Sequence, residues 1–138
     1  MRLLLQTDGG SRGNPGPAAY GYVIYDLSSS AGNLLEKCGN YLGVTTNNQA
    51  EYAGLIAGVK WVIEHYPKAE LEIKMDSLLI VNQIKGQYKV KHPDLIPLYR
   101  EAITLLTHLP HYSISHTYRA GNSLADSLVN EALDTHIQ

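Results

Sequence analysis

One cysteine in 138 residues, no long apolar run and no excess of positive charge each remove a class of protein from consideration. A lone Cys38 excludes an internal disulfide and fits a reducing compartment, where it reads as a small apolar filler at the end of a strand. The N-terminal apolar stretch covers only Leu3 to Leu5 before Gln6 interrupts it, too short for a signal peptide or a membrane span. A cytoplasmic protein with no membrane partner is expected. Net charge is -2, so any nucleic-acid partner must be held by a local patch rather than by the field of the whole molecule. There is no His/Cys cluster of zinc-site spacing. Phenylalanine is absent while tyrosine occurs ten times, and no functional reading attaches to that. No internal repeat, low-complexity stretch or linker divides the chain, and its length suits a single domain over residues 1–138 with a sizeable core.

Hydrophobic periodicity predicts the elements. Arg2 to Asp8 reads as a buried strand, Gly9 to Pro17 as a turn-rich loop, Ala19 to Asp26 as a second strand, Ser28 to Gly32 as a turn and Leu34 to Val44 as a third strand. These three form an antiparallel meander. Thr46-Asn47-Asn48-Gln49 matches a capping box, and the helix it opens runs to about Tyr66, where Pro67 stops it. Its inward residues are read as Leu55, Ile56, Val59, Trp61, Val62 and Ile63. Leu71, Ile73 and Met75 alternate with Glu72, Lys74 and Asp76 in a fourth strand. A short helix follows from Ser77 to about Lys85, then a loop from Gly86 to Lys91. Pro93 is expected to open the next helix, Tyr112 to Thr117 to form the last strand, and Asn122 to cap a final helix to about Asp134. A meander followed by alternating helices and strands is an α/β domain with a mixed sheet.

Four acids stand out by context: Asp8 in Thr7-Asp8-Gly9-Gly10-Ser11-Arg12-Gly13-Asn14-Pro15-Gly16-Pro17, Glu51 in Thr46-Asn47-Asn48-Gln49-Ala50-Glu51, Asp76 before Ser77, and Asp126 four residues after Asn122. Asp8 and Asp76 each fall at the carboxyl end of a predicted strand, on the less apolar face, and lie side by side if those strands are parallel neighbours. Each acid alone has an ordinary explanation. Glu51 suits the dipole at a helix N-terminus, Asp76 could cap a helix, and Asp126 could face solvent opposite the apolar stripe of Leu124, Leu128 and Ala132. The Gly-rich segment could be only a turn, and it is not a dinucleotide fingerprint because G-x-G-x-x-G spacing is absent and a strand follows it. Carboxylates gathered on one surface repel each other, and cations among them relieve that repulsion. The set therefore points to a metal-dependent enzyme acting on phosphate.

In this order the motifs resemble the type 1 ribonuclease H family, from Leu4 to about Leu133. The resemblance implies a five-stranded mixed sheet, an antiparallel three-strand meander plus two parallel strands, flanked by helices. It implies cleavage of the RNA strand of an RNA–DNA hybrid with 5′-phosphate products. Asp8, Glu51, Asp76 and Asp126 would be the metal set for two Mg2+ ions, with Mn2+ a plausible substitute, and two such ions about 3.5–4 Å apart both activate water and stabilise the leaving oxygen. Asp8 would bridge the ions, Asp126 hold the one that activates water, and Glu51 and Asp76 the one facing the leaving 3′ oxygen. Asn14, Asn47 and Asn48 match positions that contact the hybrid through its minor groove, and Gly9, Gly10 and Gly13 would let the main chain approach the RNA.

The chain departs from the family pattern at Leu78, where many members carry glutamine; Gln83 or Asn82 one turn on would have to supply that contact. The long basic protrusion of some bacterial members is replaced by a compact patch of Lys85, Lys89 and Lys91, as in archaeal-type members, some of which also cut double-stranded RNA. An auxiliary cation is expected before Asp126, with Arg119 preferred over His116 because the histidine falls at a strand end. Related nucleases, such as junction resolvases and exonucleases, and a non-catalytic hybrid-binding module are the competing readings; retention of all four acids argues against the latter. A monomer is expected.

Overall fold

A computed structural model describes residues 1–28 and 32–136. The elements run β1 (Arg2–Ser11), β2 (Gly16–Asp26), β3 (Asn33–Thr45), α1 (Asn47–His65), β4 (Glu70–Met75), α2 (Leu78–Ile84), α3 (Ile96–Leu106), β5 (His111–His116), a 3-10 turn (Arg119–Asn122) and α4 (Ser123–His136). One five-stranded sheet has the order β3-β2-β1-β4-β5. The meander β1–β2–β3 is antiparallel, and β4 and β5 add on parallel to β1. This is the mixed sheet expected from the alternation of strands and helices.

Strand periodicity divides the packing between two faces. Leu3, Leu5, Tyr22, Ile24, Leu71, Ile73 and Ile114 join Tyr52, Leu55, Ile56, Val59 and Val62 of α1 in the main core. Full burial of aliphatic side chains of this size stabilises by roughly 1.5–3 kcal/mol each. α1 is buried over more of its circumference than expected, with Ala50, Glu51, Tyr52, Gly54 and Gly58 also inside, while Trp61 and Ile63 are only half-buried. A smaller cluster of Ala19, Val129, Ala132 and Leu133 seats α4 on the meander. The buried face of α4 is Ala125, Leu128, Val129, Ala132 and Leu133, so Leu124 belongs at its margin rather than in the stripe.

Several boundaries differ from the sequence reading. β1 continues past Asp8, because Gly9, Gly10 and Ser11 pair with Tyr20, Ala19 and Ala18. The turn-rich stretch shrinks accordingly, and Asp8 lies inside a paired strand. β4 ends at Met75 and β5 at His116, although the Thr117 amide still donates to the Met75 carbonyl. Pro93 opens no helix: the Leu95 and Ile96 amides both donate to the His92 carbonyl in a turn, and α3 starts at Ile96 with Pro97 in its first turn. Proline tolerates that position because the missing amide would be unpaired there anyway. Asn122 caps no helix; its Nδ2 donates to the Thr7 carbonyl at 2.9 Å. Cys38 lies in mid-strand opposite Tyr22 rather than at a strand end. The predicted Ser28–Gly32 turn falls mostly on residues 29–31, outside the described residues.

Two glycines let helices lie close on the sheet. A Cβ on Gly9 would stand 2.3 Å from the Ala50 carbonyl carbon, and one on Gly21 would stand 2.5 Å from the Ala125 carbonyl oxygen. Both obstacles are helix backbone, which cannot swing aside. Gly21→Ala should therefore push α4 outward and destabilise the fold by about 1–3 kcal/mol, the usual cost of overpacking. Urea denaturation measures this, and a loss below about 0.5 kcal/mol, ordinary for a surface change, would mean α4 is not held there.

Candidate active site

The parallel pairing of Thr7 with Met75 sets the next residues of both strands, Asp8 and Asp76, beside each other. Asp76 follows the last residue of β4, and Ser77 behind it caps α2 through a bond from the Ile80 amide. Glu51 arrives from the second turn of α1. The capping box is formed as expected: Thr46 accepts from the Gln49 amide and the Gln49 side chain returns to the Thr46 amide. The absent side chain at Gly9 then lets that end of α1 settle against β1. One carboxylate oxygen from each of Asp8, Glu51 and Asp76 lies within 4.8 Å of the others. Asp8 and Glu51 are buried and Asp76 is half-buried.

This crowding shows in the proton affinities. Burial, reinforced by Asp76 and by Asp126, raises the Asp8 pKa to about 7. Burial, then the charges of Asp8 and Asp76, raises Glu51 well above the usual carboxylate range. The Gly9 amide donates to Asp8 Oδ1 at 2.9 Å and orients that carboxyl. Glu51 Oε1 is buried with no hydrogen-bond partner. A buried acceptor without a donor is costly and asks for a proton or a cation. The cluster offers only hard carboxylate oxygens, the donor set of magnesium- or manganese-type ions rather than zinc. The residues present thus fit a divalent cation.

Asp126 sits in the first turn of α4, half-buried and close enough to Asp8 to raise its pKa, but outside the tight trio. Asn130 Nδ2 reaches Asp126 Oδ2 at 3.5 Å. A residue the sequence reading misassigned helps to position this corner. Asn122 is buried and ties the start of α4 to the Thr7 carbonyl, one residue before Asp8. Gln6 Nε2 adds a second tie to the Gly121 carbonyl at 3.0 Å. The spacing of Asn122 four residues before Asp126 was the available signal, and capping was the wrong use for it.

Arg119 and His116 are both exposed. His116 ends β5 and packs edge-on against Tyr118, with ring centroids 5.4 Å apart. Arg119 opens the 3-10 turn and takes part in no ion pair among the described residues.

Asn14 and Asn47 lock the β1–β2 loop to α1. The Asn47 amide donates to Asn14 Oδ1, and the Ser11 amide and hydroxyl donate to Asn47 Oδ1. Asn48 lines a small cavity of about 220 Å³ with Asn14, Thr46, His92, Asp94 and Leu95. Gly9 turns its missing side chain toward α1, Gly10 has only Asn47 nearby, and Gly13 adopts φ +87°. Gln83 is buried and accepts from the Tyr52 hydroxyl at 2.6 Å, so it cannot serve in place of a polar group at Leu78, which is 52% exposed. Lys85, Lys89 and Lys91 are exposed on the loop after α2.

Metal-free stability follows from these pKa directions. The folded Asp8 holds its proton up to about pH 7, whereas the unfolded carboxyl releases it near 3.8. That contribution is complete below the unfolded value and is lost as pH rises through 7. In EDTA the melting temperature should therefore fall between pH 5 and pH 8, excess Mg2+ should restore it at pH 8, and Asp8→Asn should flatten the dependence. A melting temperature that rises across that range in EDTA would contradict the burial of these acids.

The reverse transcriptase-like family profile matches residues 6–132. The bifunctional protein Rv2228c of Mycobacterium tuberculosis is 42% identical over 138 residues, covering all of this chain and 37% of that protein. The ribonuclease HI of Halobacterium salinarum is 43% identical over 127 residues, covering 92% of this chain and 62% of that protein, so this chain spans less than two thirds of the length of either relative. The crystal structure of LC11-RNase H1 in complex with an RNA/DNA hybrid superposes with a TM-score of 0.91 at 39% identity, covering 99% of this chain and 100% of that one. With its mixed sheet and three converging acids, the chain belongs to the type 1 ribonuclease H family.

Proposed function

We propose that residues 1–138 form one catalytic unit that hydrolyses the RNA strand of RNA–DNA hybrids, leaving 5′-phosphate ends. The observation that carries this reading is the close trio of Asp8, Glu51 and Asp76, the first two buried, with Asp126 alongside. It is supported by family membership and by the hybrid bound in the superposed LC11 enzyme. Asp8, Glu51, Asp76 and Asp126 would hold divalent cations, Mg2+ with Mn2+ as substitute, and such ions supply an activated water and a stabilised leaving oxygen to phosphodiester hydrolysis.

The remaining work falls to the chain itself. The Gly9 amide fixes one oxygen of Asp8 and leaves the other to the cluster. Burial of Glu51 keeps water from competing for its unpartnered oxygen. The Asn14–Asn47–Ser11 brace holds the β1–β2 loop beside the acids, where the asparagine amide nitrogens are in position to read minor-groove hydroxyls and base edges. Arg119, exposed at the entrance to α4, would escort the cleaved phosphate, while His116 packs against Tyr118 at its strand end. Lys85, Lys89 and Lys91 would grip phosphates beyond the cleft. A cytoplasmic, monomeric enzyme belongs to the same proposal; among the described residues no helix is long and apolar enough to cross a membrane.

The deciding experiment is a cleavage panel of hybrid, duplex RNA, duplex DNA and single strands, each with Mg2+ and with Mn2+. Hybrid should be cut preferentially, and an intact hybrid under both ions would overturn the proposal. Asp8→Asn should lower hybrid cleavage at least about a hundred-fold, the scale on which removing a key electrostatic group acts. Retention of more than a tenth of wild-type turnover would remove Asp8 from its role. Arg119→Ala should lower turnover strongly while hybrid affinity measured in Ca2+ falls only modestly, and His116→Ala should be mild. The reverse order would transfer the auxiliary role to the histidine.

A further inference from the structure

The loop between α2 and α3 is built rather than slack. Gly86 turns it at φ +80°, and the Gln87 and Tyr88 amides both donate to the Asn82 carbonyl at the end of α2. This holds Tyr88 outward, 48% exposed, over a groove of about 610 Å³ lined by Tyr88, Lys89, Val90, Ile96, Tyr99 and Arg100. The groove has two phenol rings, two aliphatic side chains and two cations, and no acid lines it.

The charge around it is equally one-sided. From Ser77 to Arg100 the chain carries Lys85, Lys89, Lys91 and Arg100 against the single acid Asp94, in a molecule of net charge -2. None of these four cations is in an ion pair among the described residues, whereas Arg2, Arg12, Lys60 and Lys74 all are. Unpaired cations beside the exposed Tyr88 ring and the half-buried Tyr99 ring match a flat ring tethered to a phosphate. A base inside a duplex has both faces stacked against neighbours, so the ring that can enter is an unpaired one.

We infer that the Tyr88–Tyr99–Arg100 groove binds an unpaired nucleotide of a single-stranded extension running off the end of the hybrid. This inference rests on the proposed hybrid-cleaving function and extends it. The same loop supplies the path. Its second half, His92, Asp94 and Leu95, borders the cavity that Asn14, Thr46 and Asn48 line at the N-terminal end of α1, the helix that carries Glu51. A strand leaving the cleft across Asn48 follows this loop back to Lys89 and Tyr88. There the ring accepts a base, while Lys89 and Arg100 meet the phosphates on either side of it. The protein would accordingly favour hybrids flanked by single strands over blunt ones.

Fluorescence anisotropy in Ca2+, which permits binding without cleavage, tests this with a blunt hybrid and the same hybrid carrying a short single-stranded DNA extension at either end. One extension should tighten wild-type binding about five-fold or more, the contribution of one stacked base. Tyr88→Ala should erase that gain, Tyr88→Trp should keep it, and Arg100→Ala should reduce it and make the salt dependence of extended-hybrid binding shallower by nearly one unit of slope. No gain from either extension in the wild type would overturn the inference. So would a Tyr88→Ala variant that weakens blunt and extended hybrids equally, since the residue would then serve the duplex or the fold. Free oligothymidylate measured in EDTA separates this site from the catalytic proposal, because its binding requires neither hybrid nor metal. It too should weaken about five-fold or more in Tyr88→Ala, and an unchanged affinity counts against the groove whether or not the hybrid is cut.

Discussion

Like charges in a confined space govern the working end of this molecule. Asp8 and Glu51 are both buried, and each has an oxygen within 4.8 Å of the other and of one from Asp76. Burial disfavours the charged form of a carboxyl, and a neighbouring negative charge disfavours it again. Without a cation the cluster can remain together only by holding protons, which is why the Asp8 pKa lies near 7. The same expense makes the site receptive to divalent metal. Binding releases those protons and replaces repulsion with attraction to a shared positive charge. An arrangement that lowers metal-free stability is thus what prepares the site for chemistry.

Backbone packing, more than side-chain chemistry, enforces this crowding. Parallel pairing of β1 and β4 fixes the lateral neighbourhood of Asp8 and Asp76. Gly9, with Gly54 and Gly58 of α1, removes side-chain atoms that would hold α1 away, so Glu51 descends onto β1. Gly21 performs the same service for α4 on the opposite face, and Asn122 and Gln6 tether the segment that leads to Asp126. Acids from four distant parts of the chain are brought near one another, Asp8, Glu51 and Asp76 in a tight trio with Asp126 alongside, by the strand pairing, these glycine approaches and the two hydrogen bonds. The end of β4, the start of α1 and the loop brace of Asn14 and Asn47 meet at one end of the central strands, so the acids and the brace share one support.

The surface beyond the acids differs in character. The loop from Gly86 to Leu95 carries Lys89 and Lys91, in no ion pair among the described residues, and presents Tyr88 beside them. Buried acids and a basic, aromatic surface would respond differently to salt, because exposed charges are screened and buried ones much less so.

Much of this was legible in the linear chain. Alternation in Leu71–Asp76, the Thr46–Gln49 capping box and the Pro67 stop depend on neighbours within a few residues, and the elements they define are present. The order of the four acidic motifs carried the family, since such motifs are local strings, and three of those acids, Asp8, Glu51 and Asp76, converge in the fold. What needed the tertiary structure was every use of a residue decided by something far away in sequence. Asn122 has the chemistry of a helix cap, yet it bonds to Thr7, 115 positions back. Gln83 has the chemistry of a substrate contact, yet Tyr52 claims it. Gly9 reads equally well as a turn or as an opening for ligand, and only the approach of α1 selects close packing. Pro93 and Pro97 are equivalent as helix starts until the His92 carbonyl takes two amides into a turn. Local hydrogen-bonding capacity and periodicity are written in the residues themselves; which of several possible partners wins is settled by distances that exist only once the sheet has formed.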